Sequence, residues 1–136
     1  MPDKFKLEIV TPASQVYSED VESLTFDGTE GQMTVLPEHV RLMTRLVAGE
    51  MMVRKSGRDQ FLAVGEGLVT VTPNHVAILT DMAIAAENID EAKAEEARQR
   101  AAARLKEKLS SEEVASVNAS LAHSLAQLRV KRRHRT

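Results

Sequence analysis

All six Gly and all four Pro of this 136-residue chain lie before residue 83, and from Ala83 to Thr136 neither occurs. No other feature constrains the fold as much. Gly and Pro are the strongest punctuators of local structure, so a long stretch without either is free to propagate helix. Ala, Glu, Lys, Arg and Gln dominate the later stretch, and these are the best intrinsic helix formers. The earlier stretch is punctuated throughout and has to turn repeatedly. The chain therefore reads as two modules, residues 1–85 and residues 88–136, with different secondary structure.

The first module carries the period-2 signature of half-buried strands. Lys4-Phe5-Lys6-Leu7-Glu8-Ile9 alternates charged and apolar residues until Thr11-Pro12. That is the pattern of a strand with one face dry and one wet. Val21 to Phe26 is a second candidate, closed by Asp27-Gly28, and Gln32-Met33-Thr34-Val35 alternates again. Met51-Met52-Val53 and Phe61-Leu62-Ala63-Val64 flank Ser56-Gly57-Arg58-Asp59, and Leu68 to Val71 and Val76 to Leu79 flank Thr72-Pro73-Asn74-His75. Both read as hairpins. Short strands at close spacing predict an antiparallel β-sandwich or barrel.

The second module predicts an antiparallel two-helix hairpin, making the chain α+β overall. Asn88 or Asp90 caps the first helix, with Glu91 in the first turn and Ala94, Ala97, Ala101 and Leu105 at helical spacing. Ser110-Ser111-Glu112-Glu113 breaks the run with a capping-box spacing. A second helix follows with Val114, Val117, Leu121, Leu125 and Leu128 as its apolar stripe. The short break folds the helices back on each other. Each Ala lacks about three carbons relative to Leu, so at ~0.8 kcal/mol per buried CH₂ an Ala-lined seam is several kcal/mol weaker than a Leu-lined one. Helices that stay folded but dock weakly suit an element with two positions. From composition alone, an ordinary stable hairpin is the commoner outcome.

Composition excludes several classes. With no Cys, disulfide scaffolds, thiolate zinc sites and Cys nucleophiles are ruled out. The four His (39, 75, 123 and 134) form no pair at metal-binding spacing, and no metal or catalytic site is expected. Asp27-Gly28-Thr29-Glu30-Gly31 lacks the Lys-Ser/Thr ending of a phosphate-cradling loop. No apolar run approaches the ~18 residues of a membrane span. The N-terminus has neither a signal-peptide core nor an Arg-rich transit segment, which predicts a protein that works where it is made. Aromatics are 3% of residues, too few for a stacking platform. The net charge of −2 argues against nucleic acid as a partner, but it hides an asymmetry. Residues 1–89 hold 7 basic and 13 acidic side chains, and residues 90–136 hold 11 and 7. Two modules of opposite charge suggest different partners.

The order of features resembles the epsilon subunit of the F-type rotary ATP synthase. The resemblance runs through Leu7 to Pro12, Gly28 to Gly31, Val35-Leu36-Pro37-Glu38-His39, Ala77 to Asp81, Ala86 to Ala92 and Leu125 to Val130. Each motif is short, and their collinearity over nearly the whole chain carries the likeness. Two places depart from the family's pattern. His39-Val40-Arg41-Leu42 stands where the family usually reads His-Ala-Pro-Leu, and Gly65-Glu66-Gly67 replaces a Gly-Gly pair.

The resemblance implies a non-catalytic central-stalk subunit. Its sandwich would pack on gamma and rest on the c-subunit ring. Its hairpin would fold against the sandwich or extend toward alpha and beta, where it blocks ATP hydrolysis. Contact with the membrane would come only through the complex, on the cytoplasmic face of a bacterial inner membrane in preference to a plastid thylakoid. Glu30, Gly31, Gln32 and His39 match positions facing the c-ring. Ile89-Asp90-Glu91-Ala92-Lys93-Ala94 resembles an ATP-binding motif of some members, with Lys93 in place of Arg, and Arg100 falls on a further matching position. His123 and Gln127 stand where those members carry Arg. Lys is a point charge and Gln carries none, so the substitutions disfavour ATP as a ligand, and no cofactor is expected. The basic tail, with Arg129, Lys131, Arg132 and Arg133, is implied as a contact to an acidic segment of beta; a solvated, frayed terminus is an equal reading. Outside the family, the alternative is a freestanding adaptor or anion-binding module with a basic helical arm.

Overall fold

The alternation near the N-terminus becomes the first strand, β1 (Phe5–Val10), with Phe5, Leu7 and Ile9 buried in the core. The computed structural model describes residues 3–38 and 41–134. Nine strands follow β1: β2 (Gln15–Val21), β3 (Ser23–Gly28), β4 (Gly31–Val35), β5 (Leu42–Leu46), β6 (Gly49–Lys55), β7 (Arg58–Val64), β8 (Gly67–Thr72), β9 (His75–Thr80) and β10 (Ala83–Ala85). They are ordered β10-β7-β6-β3-β5-β8-β9-β1-β2, with β4 paired to β3 off this path. β1 and β9 run parallel, and the other pairs are antiparallel.

The two ends of this order meet. Tyr17 of β2 donates a hydrogen bond to Gln60 of β7 at 3.0 Å, and Lys55 of β6 pairs with Glu19 of β2. The result is a nearly closed sandwich around Leu24, Phe26, Met51, Val53, Val64, Val69 and Ile78. Both expected hairpins form. At the β6–β7 turn Ser56 and Gly57 have φ of 53° and 74°. Positive φ at both central residues is what a tight two-residue hairpin requires.

Three strands were not legible in the pattern. β2 is an edge strand with most of its side chains exposed, so no alternation marks it before Val21. β5 alternates partly buried and exposed positions and buries only Leu46. β10 is three residues long.

After a 3-10 turn at Ala86–Asn88 come α1 (Glu91–Arg104) and α2 (Ser111–Arg133). Of the two candidate caps, Asp90 serves: its carboxylate accepts from the Lys93 amide at 3.1 Å. The Ser110–Glu113 box forms in both directions at 3.2 Å. Arg104 meets Glu113 at one end of the pair and Arg132 meets Glu95 at the other, each at 3.2 Å, so the helices run antiparallel.

The expected stripe on α2 is partly wrong. Leu125 is 48% exposed and Val114 36%, whereas Ser124, Ala126, Leu128 and Val130 are buried. A single stripe assumes one partner, but α2 touches both α1 and the sandwich, so its buried arc is wider and bent.

Candidate functional site

The surface that most distinguishes this fold is the seat of α2 on the sandwich. It is built from the outward side of β6 and β7. Leu62 and Val64 point into the sandwich core, so Phe61 and Ala63 point away from it. In register, Ala63 lies opposite Glu50 on β6. Ala63, Ala86, Ile89, Ala126 and Val130 form a buried cluster of their own, with Phe61, Met82 and Ile84 packed around it. This cluster is distinct from the sandwich core. Its closest members are mainly Ala, so the apolar area that holds the arm down is modest.

Polar contacts ring the cluster. Arg133 pairs with Glu50 at 3.1 Å, and His134, the residue that ends α2, meets the same carboxylate. Lys131 donates to the Ala86 carbonyl at 3.3 Å. At the other end of the seat, His123 Nε2 lies 3.0 Å from Asp81 Oδ1. That nitrogen is shielded from solvent, and its alignment falls short of a hydrogen bond, so the attraction is electrostatic and depends on the imidazole's charge.

A glycine makes the second contact fit. A Cβ at Gly65 would stand 1.9 Å from Asp81 Oδ1 and 2.9 Å from His123 Nε2. Only a residue without a side chain admits the pair there.

The cations assigned to a beta-facing surface are mostly engaged within the chain. Besides Lys131 and Arg133, Arg132 reaches Glu95 at 3.2 Å and Glu91 at 3.9 Å. A Cβ at Gly49 would stand 3.7 Å from the Arg129 guanidinium and 3.2 Å from the Asp27 carboxylate. Of these contacts, Arg133–Glu50 joins the basic second module to the acidic first, whereas Arg132 is paired within the second. Arg135 lies outside the described residues.

The c-ring candidates sit on an exposed edge. Glu30 is in the tight turn between β3 and β4, and Gly31 has φ of 118° with open space where a Cβ would be. Gln32 begins a strip on β4 that continues through Thr34 and Leu36, all exposed. His39 lies outside the described residues. The chain before it, Pro37-Glu38, leaves the far end of β4, about 13 Å along the strand from Gly31.

The nucleotide candidates do not converge. Asp90 is occupied as the α1 cap, Lys93 is exposed and Ala94 is buried. Arg100 lines a groove of about 350 Å³ between the helices, with Arg104, His123 and Gln127, but Asp90 and Lys93 do not line it. No group of three potential metal ligands occurs among the described residues. No described helix is long and apolar enough to cross a membrane.

One signal of the seat was present in the sequence. Phe61-Leu62-Ala63-Val64 is apolar at four consecutive positions, and a strand of that kind is covered on both faces.

Comparison with known proteins agrees with this architecture. Residues 4–86 match the ATP synthase delta/epsilon chain beta-sandwich domain, and residues 87–132 match the long alpha-helix domain of the same chain. An ATP synthase epsilon chain of Dehalococcoides mccartyi is 39% identical over 97% of this chain and 95% of its own length. One from Psychrobacter arcticus is 37% identical over 93% of each. Among solved structures, a chain of the Euglena gracilis mitochondrial ATP synthase, in an OSCP/F1/c-ring assembly, superposes with a TM-score of 0.74. It is 22% identical and covers 93% of this chain and 80% of its own. A chain of the Tetrahymena thermophila central stalk and c-ring has a TM-score of 0.57 at 13% identity, covering 98% and 97%. Both likenesses are of fold.

Proposed function

This chain belongs to the ATP synthase delta/epsilon family as an epsilon chain, and we propose that it is a non-catalytic rotor subunit of a proton-translocating synthase whose helical arm governs ATP hydrolysis. The sandwich is the fixed part, bound to gamma and resting on the c-ring. The arm is the moving part: it folds on the sandwich as described, or extends toward alpha and beta. The complex sits on the cytoplasmic face of a bacterial membrane, and this subunit is peripheral to it.

The observation that carries the reading is the separateness of the seat. Because the cluster under α2 shares no residue with the sandwich core, the arm can leave without opening that core. Leaving also releases Lys131 from the Ala86 carbonyl and Arg133 from Glu50. The same cations are then free to meet an acidic surface on beta, so the two positions compete for one set of charges.

The outward face of the sheet supports a large partner for the sandwich. Leu68 and Leu79 face each other in register on β8 and β9, 43% and 55% exposed, and Met43 on the neighbouring β5 is 68% exposed. Val10 and Pro12 extend this surface along an open cleft of about 450 Å³. Contiguous exposed apolar surface of this kind marks a protein interface, here assigned to gamma.

Deleting residues 88–136 in the assembled complex tests the proposal. Assembly with gamma and ATP synthesis should persist, and ATP hydrolysis should rise. Loss of assembly would show that the helices build the stalk, and unchanged hydrolysis would remove their regulatory role.

A further inference from the structure

His123 of α2 and His134, which caps its C-terminus, both stand against carboxylates of the sandwich module. We infer that the seat of α2 is a proton-operated latch that closes as His123 and His134 become charged. The inference rests on the arm being the moving part, as proposed above.

His134 meets Glu50 where both side chains are largely withdrawn from water, 19% and 14% exposed. Phe61 covers one face of its ring. Its position as the C-terminal cap of α2 places any positive charge at the negative end of the helix dipole. Other charges nearby are Arg133, which shares Glu50, and Lys131 on the Ala86 carbonyl. Glu50 therefore faces one permanent cation and one that comes and goes.

His123 stands against Asp81, and Glu66 lines the same small cleft. From the α1 side, Arg100 and Arg104 line the groove it borders. Two carboxylates on the sandwich thus oppose two guanidiniums on the arm's own partner helix. Only the carboxylates are left behind when the arm departs. Gly65 provides the room that lets Asp81 approach.

The sign follows from this placement. A charged imidazole gains an opposite charge on docking, whereas a neutral one gains much less. The docked arm therefore holds protons that the free arm gives up, and docking strengthens as pH falls. Histidine is the side chain that changes charge in the physiological range. His75 provides a control: it faces Glu8 at 3.5 Å across β1 and β9, and both belong to the sandwich. That pair is the same in either position of the arm.

The test uses the full-length chain, which has no Cys and so accepts unique labels. Spin labels at Ala13→Cys and Ser111→Cys, both exposed positions, report the separation of sandwich and hairpin tip. Lowering the pH from about 8 to about 5 should raise the docked-to-extended ratio about tenfold. His123→Gln with His134→Gln should flatten that response, as should Asp81→Asn with Glu50→Gln. His75→Gln should leave it unchanged. A wild-type ratio that ignores pH, or a double variant that responds in full, overturns the latch while leaving the moving arm intact. One docked distance at every pH overturns the moving arm, and the latch with it.

Discussion

The imidazole of His134 lies flat against the ring of Phe61, with centroids 3.5 Å apart and planes 10° from parallel. Seventy-odd residues of chain separate the two, and the stack joins the last turn of the arm to the middle of β7. Substituting Phe61→Leu keeps apolar bulk but removes the ring face, at a cost of about 1 kcal/mol. Amide exchange in α2 should accelerate by roughly fivefold, while exchange in β1, β8 and β9 stays unchanged. Equal acceleration everywhere would mean that the arm and sandwich open as one unit.

Val130 is fully buried in the seat. Val130→Ala removes packing worth about 2 kcal/mol from docking alone. The expected result is a larger extended population by distance measurement, with the unfolding transition of the sandwich unmoved. A shifted sandwich transition would show that the arm is part of its core.

Gly65 and Gly67 are close in sequence but should respond differently to alanine. At Gly65 the new Cβ meets the Asp81 side chain, which can turn away, so the arm loosens and the sandwich stays folded. At Gly67 it would stand 1.8 Å from the Leu79 carbonyl, which is fixed in β9. Backbone cannot yield so easily, and Gly67→Ala should destabilise the sandwich by roughly 3 kcal/mol. Denaturant unfolding of the two variants distinguishes these outcomes.

Hydrogen bonding from Arg98, with help from Gln99 and Arg132, holds the Glu95 carboxyl at about 2, below its ordinary 4.5. The folded form thus prefers the ionised group. Its contribution is complete above the ordinary value and disappears as pH falls toward 2. Circular dichroism in that window should show the helix pair loosening, and Glu95→Gln should remove this part of the acid response.

The Ser110 box starts α2 independently of the sandwich. Ser110→Ala should cost about 1 kcal/mol of helix stability and fray the first turn of α2. Exchange at the Glu113 amide, which Ser110 caps, reads this directly. The seat, far along the helix, should be unaffected.

The strands that bury alternate residues were legible because alternation is a local record of having one dry face. β1 and β4 were readable in this way, β3 from its closing turn and β6 to β9 as two hairpins; the Ser110 cap was readable too, while the first helix left Asn88 and Asp90 open. β2 and β5 were not: most of β2's side chains are exposed, and of β5's only Leu46 is buried, so neither leaves a strong local record. The stripe assigned to α2 went astray at Leu125 because periodicity counts apolar residues and does not say how many neighbours a helix has. The run Phe61 to Val64 did carry the needed hint, a strand with two covered faces, but not what covers the second.

Composition and local spacing by themselves determined a strand-rich module followed by two helices, and the capping box that starts the second, because propensity, capping and turn geometry act between residues a few positions apart. Their opposite charges were equally plain. Only the tertiary structure decided that those charges meet within the chain, that Glu50 takes both Arg133 and His134, and that Gly65 makes room for Asp81 and His123. Each of these contacts joins residues distant in sequence. Its strength depends on distance and solvent exclusion, which no residue carries alone.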